Sequence, residues 1–254
     1  MSTRVPSVLI TGASRGIGRG LALAMLERGW QVEATTTSLK VLQQKEPALL
    51  TSGISWHELD QGRQPAVAQF IHTLKTRQSR FQMLVNNAGI YSGEPDRIFA
   101  VNFFGLVQLT SGVQALLPEN ALIANISSGM GSLDQFSKKA VKELLRPDLE
   151  LHQLEKLCQA YCQDRQFSAH HGWPGNPYSA SKAALNAYSR IANRDRQHSG
   201  QRVISICPGW VKTDMGGPAA PRSIPTAISG ILDTILHSAL TGGQFYRDGR
   251  PIPW

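Results

Sequence analysis

Cysteine is scarce in this chain of 254 residues, and the three present, Cys158, Cys162 and Cys207, are odd in number. That excludes a disulfide framework and points to a reducing compartment. Cys158 and Cys162 stand one helical turn apart with no histidine or further cysteine beside them, so their spacing reads as helix packing and no metal is expected. Long apolar runs are missing too: nothing approaches the ~20 residues of a membrane span, and no signal-peptide core precedes the first motif. A soluble, cytosolic protein with no membrane partner is expected. Acidic residues are the scarcer charge, 18 against 26 Lys and Arg, for a formal net charge of +8. Such an excess brings nucleic-acid binding into question. The cations are scattered, however, and Glu143 interrupts the densest cluster, Lys138, Lys139 and Lys142. With no recognition helix or stacking motif, the reading is a solvated basic surface and no nucleic-acid partner. A positive field of this kind also attracts polyanionic cofactors.

What is present is a substantial apolar fraction, 41%, in a regular alternation. Short β-branched and apolar runs occur at Val8–Ile10, Gln31–Thr36, Ile54–Leu59 and Met83–Val85. Further ones lie in "NALIANIS", "RVISICPG" and "GQFYRDG", about seven in all. Helical periodicity fills most intervals, beginning with Ile17–Arg28, which Gly29 closes. Strands alternating with helices imply an α/β fold: a single doubly wound parallel sheet with helices on both faces, one domain over 1–254. From about 132 to 173 the strand signal stops. "SKKAVKELL" and "DLELHQLEKLCQAYCQD" read as amphipathic helices, the second with Leu151, Leu154, Leu157, Cys158 and Tyr161 on one stripe. Asp148, after Pro147, is the expected N-cap. This segment reads as a helical insertion. The ending "DGRPIPW" is compact and apolar and is expected to pack.

The turn "TGASRGIG" sets Gly12, Gly16 and Gly18 between the first strand and the first helix. Glycines there let a backbone approach a pyrophosphate seated on the helix N-terminus. The spacing is G-x-x-x-G-x-G, not the commoner dinucleotide pattern. A carboxylate after the second strand would accept from both ribose hydroxyls and repel a 2′-phosphate. Thr35, Thr36, Thr37 and Ser38 stand there instead, Arg15 could reach such a phosphate, and Glu33 is expected to face away. These features favour NADP(H) over NAD(H). "VNNAG", Val85–Gly89, could line the adenosine side of a nucleotide or form a tight loop capped by asparagine. Asp60 could accept from the adenine amino group or cap a helix. Asn102 in "VNFFG" is an amide inside an apolar helix, a poor choice unless its hydrogen bonds are satisfied. Ser127 and Ser128 end a strand at the sheet edge where α/β folds gather ligands. In "NPYSASKAALN", Tyr178 and Lys182 are spaced i, i+4 and share a helix face.

Taken together, "TGASRGIG", "NNAG", "VNFFG", "NISS", "YSASK" and "PGWVKTDM" resemble, in order and over nearly the whole length, the short-chain dehydrogenase/reductase family with its Rossmann-type sheet. The ending resembles carbonyl reductases of the sniffer and C-factor type. The helical segment before Tyr178 is similar to that of monomeric carbonyl reductases and salutaridine reductase. The resemblance implies an NADPH-dependent oxidoreductase that transfers hydride to a ketone, aldehyde or quinone. The alternative is a nucleotide-binding sensor of the same fold with little turnover, against which the intact Asn102, Ser128, Tyr178 and Lys182 argue.

In that family pattern Tyr178 is the general acid for reduction and general base for oxidation; Lys182, with the positive nicotinamide of the oxidised cofactor, lowers its pKa and also holds the nicotinamide ribose. Ser128 donates to the substrate oxygen, and Asn102 anchors a water linking Lys182 to solvent. The implied cofactor residues are Gly12, Ser14, Arg15, Gly16, Ile17, Gly18, Thr37, Asp60, Asn87, Ala88, Gly89, Tyr178, Lys182, Pro208, Gly209, Val211 and Thr213. The implied substrate-pocket residues are Met130, Trp173, Trp210 and Met215. The segment "IYSGEPDRIFAV" is shorter than its usual counterpart, so one pocket wall is expected to be trimmed. A monomer is expected, because the insertion covers the surface where relatives associate and the Leu151–Tyr161 stripe must be buried.

Overall fold

A computed structural model describes residues 5–164, 166–237 and 239–254. In chain order the strands are β1 (Ser7–Ile10), β2 (Gln31–Thr36), β3 (Ser55–Glu58), β4 (Met83–Asn86), β5 (Leu122–Ile126), β6 (Arg202–Ile206), β7 (Phe245–Arg247) and β8 (Arg250–Ile252). Among the described residues they form one sheet in the order β3-β2-β1-β4-β5-β6-β7-β8. Pairing is parallel from β3 through β7, and β8 closes the edge antiparallel. The strand order reverses between β1 and β4, the crevice where doubly wound sheets bind ligands.

The first half carries α1 (Gly16–Glu27), α2 (Leu39–Lys45), α3 (Pro47–Leu50), α4 (Gln64–Thr76), α5 (Pro95–Phe99) and α6 (Gly105–Gly112). The second carries α7 (Lys138–Leu145), α8 (Leu151–Gln163), α9 (Phe167–His171), α10 (Pro177–Arg196) and α11 (Ile224–Ile235). The period of two along each strand divides the core. Leu9, Leu84, Ile123 and Val203 pack with α4, α6 and α10. Val8, Ile10, Val85, Ala124 and Ile204 pack with Leu21 and Met25 of α1 and Ile228 and Ile231 of α11. Both faces are covered, so the parallel strands are apolar throughout rather than alternating.

The sheet has eight strands where about seven were read from the sequence. The eighth comes from "DGRPIPW": Asp248 and Gly249 both take positive φ (53° and 74°), the geometry of a two-residue hairpin loop. Trp254 then stacks on Phe245 at 5.5 Å. The insertion holds α7, α8 and α9, and Leu154, Cys158 and Tyr161 of its stripe are buried in the same core as α10. Asp148 is not the N-cap of α8. Leu149 is drawn into the core, the helix starts later, and Glu150 takes the cap, its N–H donating to Gln153 Oε1 at 3.1 Å. Asp148 instead faces Arg146 at 3.7 Å. No helix among the described residues is long and apolar enough to cross a membrane.

Candidate active site

At the C-terminal ends of β1 and β4, two turns lock together. Thr11 Oγ1 accepts the N–H groups of Asn87 and Ala88 at 3.1 and 3.0 Å. Asn87 Nδ2 donates to the carbonyls of Thr11 and Gly12 at 2.9 and 3.0 Å. Gly12 has φ +65°, and a Cβ there would lie 2.8 Å from Ala88 Cα. At Gly18 a Cβ would lie 2.4 Å from Asn87 Nδ2. Glycine is thus required at both positions, one for its left-handed backbone and both for close approach. Gly16, also at positive φ, faces Thr213 across 3.4 Å from where its Cβ would be. Ser14 and Ile17 are half-buried at the start of α1, and Arg15 is exposed, paired with Asp214 at 2.9 Å.

Thr35 braces this turn, its Oγ1 accepting the Gly12 N–H at 3.0 Å, and Thr37 is exposed beyond it. Glu33 is engaged away from the crevice, against His57 at 2.7 Å. Asp60 accepts from the Gly62 N–H at 3.0 Å and from Arg97 Nη2 at 3.0 and 3.1 Å. Its carboxylate is therefore held by Arg97, a partner on α5 that no local sequence signal announces.

Asn102 does not sit in an ordinary α-helix. Ala100–Phe104 forms a π-helical turn between α5 and α6, the kind of bulge that recurs at functional sites. The buried amide is satisfied: Oδ1 accepts Ile90 N–H at 2.9 Å, and Nδ2 donates to Ile90 O at 2.9 Å and Ser181 Oγ at 3.0 Å. Asn102 thereby ties the segment after Gly89 to the helix bearing Tyr178. Asn176 caps that helix, its Oδ1 accepting from Tyr178 and Ser179 N–H at 2.9 and 3.2 Å.

Tyr178 and Lys182 share a face of α10, with Lys182 Nζ 5.8 Å from the Tyr178 ring centre. Both are buried, and Nζ donates to Ile126 O at 2.8 Å. A Cβ on Gly89 would stand 3.6 Å from Nζ, so the end of the Asn87–Gly89 turn borders the lysine. Ser128 is half-buried at the end of β5. The protein's own groups act on the Tyr178 pKa separately from the joint effect expected of Lys182 and an oxidised nicotinamide. Burial raises it, with Ser128 pulling back through its hydroxyl and Cys207 and Tyr91 adding to the rise. Burial also brings Lys182 down to about 8, with Cys207 opposing. Desolvation prevails because both side chains sit between the sheet edge and α10, away from water.

The loop after β6 starts with buried Pro208 and with Gly209 at φ +80°. Val211 is buried and bridges Arg222, and Thr213 Oγ1 accepts Gly216 N–H at 3.1 Å. Trp210 and Met215 are exposed on this loop, as is Met130 beyond Ser128. Trp173 does not belong with them. It is 3% exposed, packed among Phe136, Tyr161 and Phe167, because the insertion folds its aromatic residues onto one another. Tyr91, which the motifs did not single out, is 45% exposed with its ring 4.9 Å from that of Tyr178. Its position two residues after Gly89 was the available signal.

The family description for short chain dehydrogenases matches residues 6–141 and 168–223, and the gap falls within the helical insertion. The chain is 26% identical to "Carbonyl reductase [NADPH] 1" of Sus scrofa over 100% of its own length and 96% of that protein. It is 27% identical to the Homo sapiens protein of that name over 88% of each. Among solved structures, salutaridine reductase from Papaver somniferum superposes with a TM-score of 0.83 at 22% identity, covering 96% of this chain and 99% of that one. Carbonyl reductase Sniffer of D. melanogaster does so with a TM-score of 0.74 at 25% identity, covering 99% and 100%. The chain belongs to the short-chain dehydrogenase family.

Proposed function

We propose that this chain is an NADPH-dependent carbonyl reductase acting on ketones, aldehydes or quinones. The observation that carries the reading is the buried Tyr178–Lys182 pair beside Ser128, opening next to a glycine cradle. The cradle fits a dinucleotide: the positions where a Cβ would collide lie along the turn into α1, where free backbone N–H groups favour a pyrophosphate. NADPH, when bound, supplies the hydride. Ser128 donates a hydrogen bond to the carbonyl oxygen as negative charge grows there. Tyr178 delivers the proton from its hydroxyl, which burial keeps protonated at neutral pH. Lys182 holds positive charge beneath that hydroxyl, and Asn102 fixes α10 against the loop that carries Tyr91.

Preference for the phosphorylated cofactor rests on the missing acid after β2 and on Arg15. The Arg15–Asp214 pair has both side chains 74% exposed, and such pairs exchange readily for a phosphate. A cytosolic monomer fits the free thiols and the buried stripe of α8. Light scattering is therefore expected to give a particle near 27.8 kDa, and a stable dimer would contradict the covering role of the insertion.

The deciding experiment follows loss of NADPH absorbance, with NADH in parallel, over a panel of ketones, aldehydes and quinones. Turnover with NADPH supports the reductase. Tight NADPH binding with no turnover on a broad panel favours the sensor. A pH series adds a second check. Lys182 is charged below about 8, so kcat/KM for reduction is expected to fall as pH rises through about 8. A profile flat well into the alkaline range would remove Lys182 from the proton path.

A further inference from the structure

Beyond Lys182 on the catalytic helix lie Arg190 and Arg194, eight and twelve residues on, or about 12 and 18 Å along the axis. Their guanidinium groups reach the last residues of α7 and the link from there to α8. Arg190 donates to the carbonyls of Leu144 and Leu145 at 3.0 and 2.9 Å. Arg194 donates to those of Pro147 and Leu149 at 2.6 and 3.0 Å. Arg146, on the link itself, brings a third guanidinium. Together they border an open cleft of about 270 Å³ with Leu144, Leu149 and Ile191 on its apolar side.

Fastening the link does not use up these groups. A guanidinium has five N–H donors, and Arg190 spends two on carbonyls. Arg146 donates from Nη2 to Gln153 Oε1, and its Nε is buried without a hydrogen-bond partner. Burial disfavours the charge on Arg190, and Arg194 adds to the effect. No carboxylate lines the cleft among the described residues. The nearby acids, Asp148 against Arg146 and Asp195 against Arg194, are 78% and 50% exposed. Three guanidinium charges thus face two carboxylates at the rim, an excess of one positive charge on an apolar floor.

We propose that this cleft is a binding site for a small organic monoanion with an apolar body, an aryl or medium-chain alkyl carboxylate. The carboxylate would take the free donors of Arg146 and Arg190, and the body would lie on Leu144 and Ile191. Inorganic phosphate is the poorer fit, since it would leave that floor exposed and bring more charge than the excess. The volume sits just under the ~300 Å³ at which small-molecule pockets begin, which limits the body to one or two rings or a short chain. The site is separate from the reductase centre, so the two readings stand or fall independently.

The test is calorimetry with 2-naphthoate, run with and without saturating NADPH, and with 2-naphthamide as the uncharged control. Binding of the acid is expected, with the amide weaker by roughly ten-fold or more, since a charge-assisted pair is lost. Arg146→Gln, checked for unchanged circular dichroism, is expected to weaken the acid and leave the amide alone. No heat at millimolar acid, equal binding of acid and amide, unchanged binding in folded Arg146→Gln, or displacement of the acid by NADPH would each overturn the site. The comparison of acid with amide needs no variant, so it decides even if Arg146→Gln misfolds.

Discussion

Tyr178→Phe is expected to lower kcat for carbonyl reduction by about 10³-fold while leaving NADPH affinity within a few-fold of the parent, in line with the loss of a positioned general acid. Phenylalanine keeps the ring that packs against Tyr91 and lies over Lys182, so the fold around the site should not change. What disappears is the one hydroxyl beside Ser128 that can deliver a proton from inside a dry pocket. The measurement pairs steady-state rates with NADPH binding by fluorescence. A variant that binds normally and still turns over at more than a tenth of the parent rate would mean another group donates the proton. The effect also separates from that of Tyr91→Phe, which removes no hydroxyl assigned to the reaction and is expected to change kcat little.

Gly18→Ala should damage folding and cofactor binding together. The new methyl would come within 2.4 Å of Asn87 Nδ2 and 2.5 Å of Gly12 O. Neither neighbour can yield cheaply, because Asn87 already holds the Thr11 and Gly12 carbonyls. Overpacking at such a junction costs about 3 kcal/mol, which for a chain of this length lowers Tm by about 10 °C. NADPH affinity should fall with it, since the cradle and the Asn87–Gly89 turn move as one. Gly175→Ala is the control, because a Cβ there meets nothing within 4 Å. If Gly18→Ala melts and binds like Gly175→Ala, the junction is looser than the close approach implies.

The alternation of strands and helices, the glycine turn and the Tyr178–Lys182 spacing could all be read from the chain because each is a local property. Three glycines, a run of β-branched residues or an i, i+4 pair mean the same thing wherever they occur. Partnerships across the fold had no such signature. Arg97 and Asp60 are 37 residues apart, and nothing near either predicts that one holds the other. Trp173 was placed by its neighbourhood in the chain, just before Tyr178, but tertiary packing drew it inward onto Phe136 and Phe167. The burial of Tyr178, which raises its pKa, left no local mark either: charge can be counted in a sequence, whereas burial cannot. Asp148 lost its cap to Glu150 because burying Leu149 outweighed a favourable capping residue.

A helix with one residue too many in a turn can shed that residue and remain a helix. Ala100–Phe104 is such a turn, and Asn102 is at its middle. Deleting a residue elsewhere in α5 or α6 would rotate everything beyond it by about 100° and turn the core face toward water. Deleting Asn102 alone would convert the π turn to α and leave both flanks in register. Deleting any one residue of the turn would do the same, but losing Asn102 would also strip Ile90 and Ser181 of their shared partner. Such a chain would keep its helices and its core while the loop that carries Tyr91 came loose from the helix that carries Tyr178.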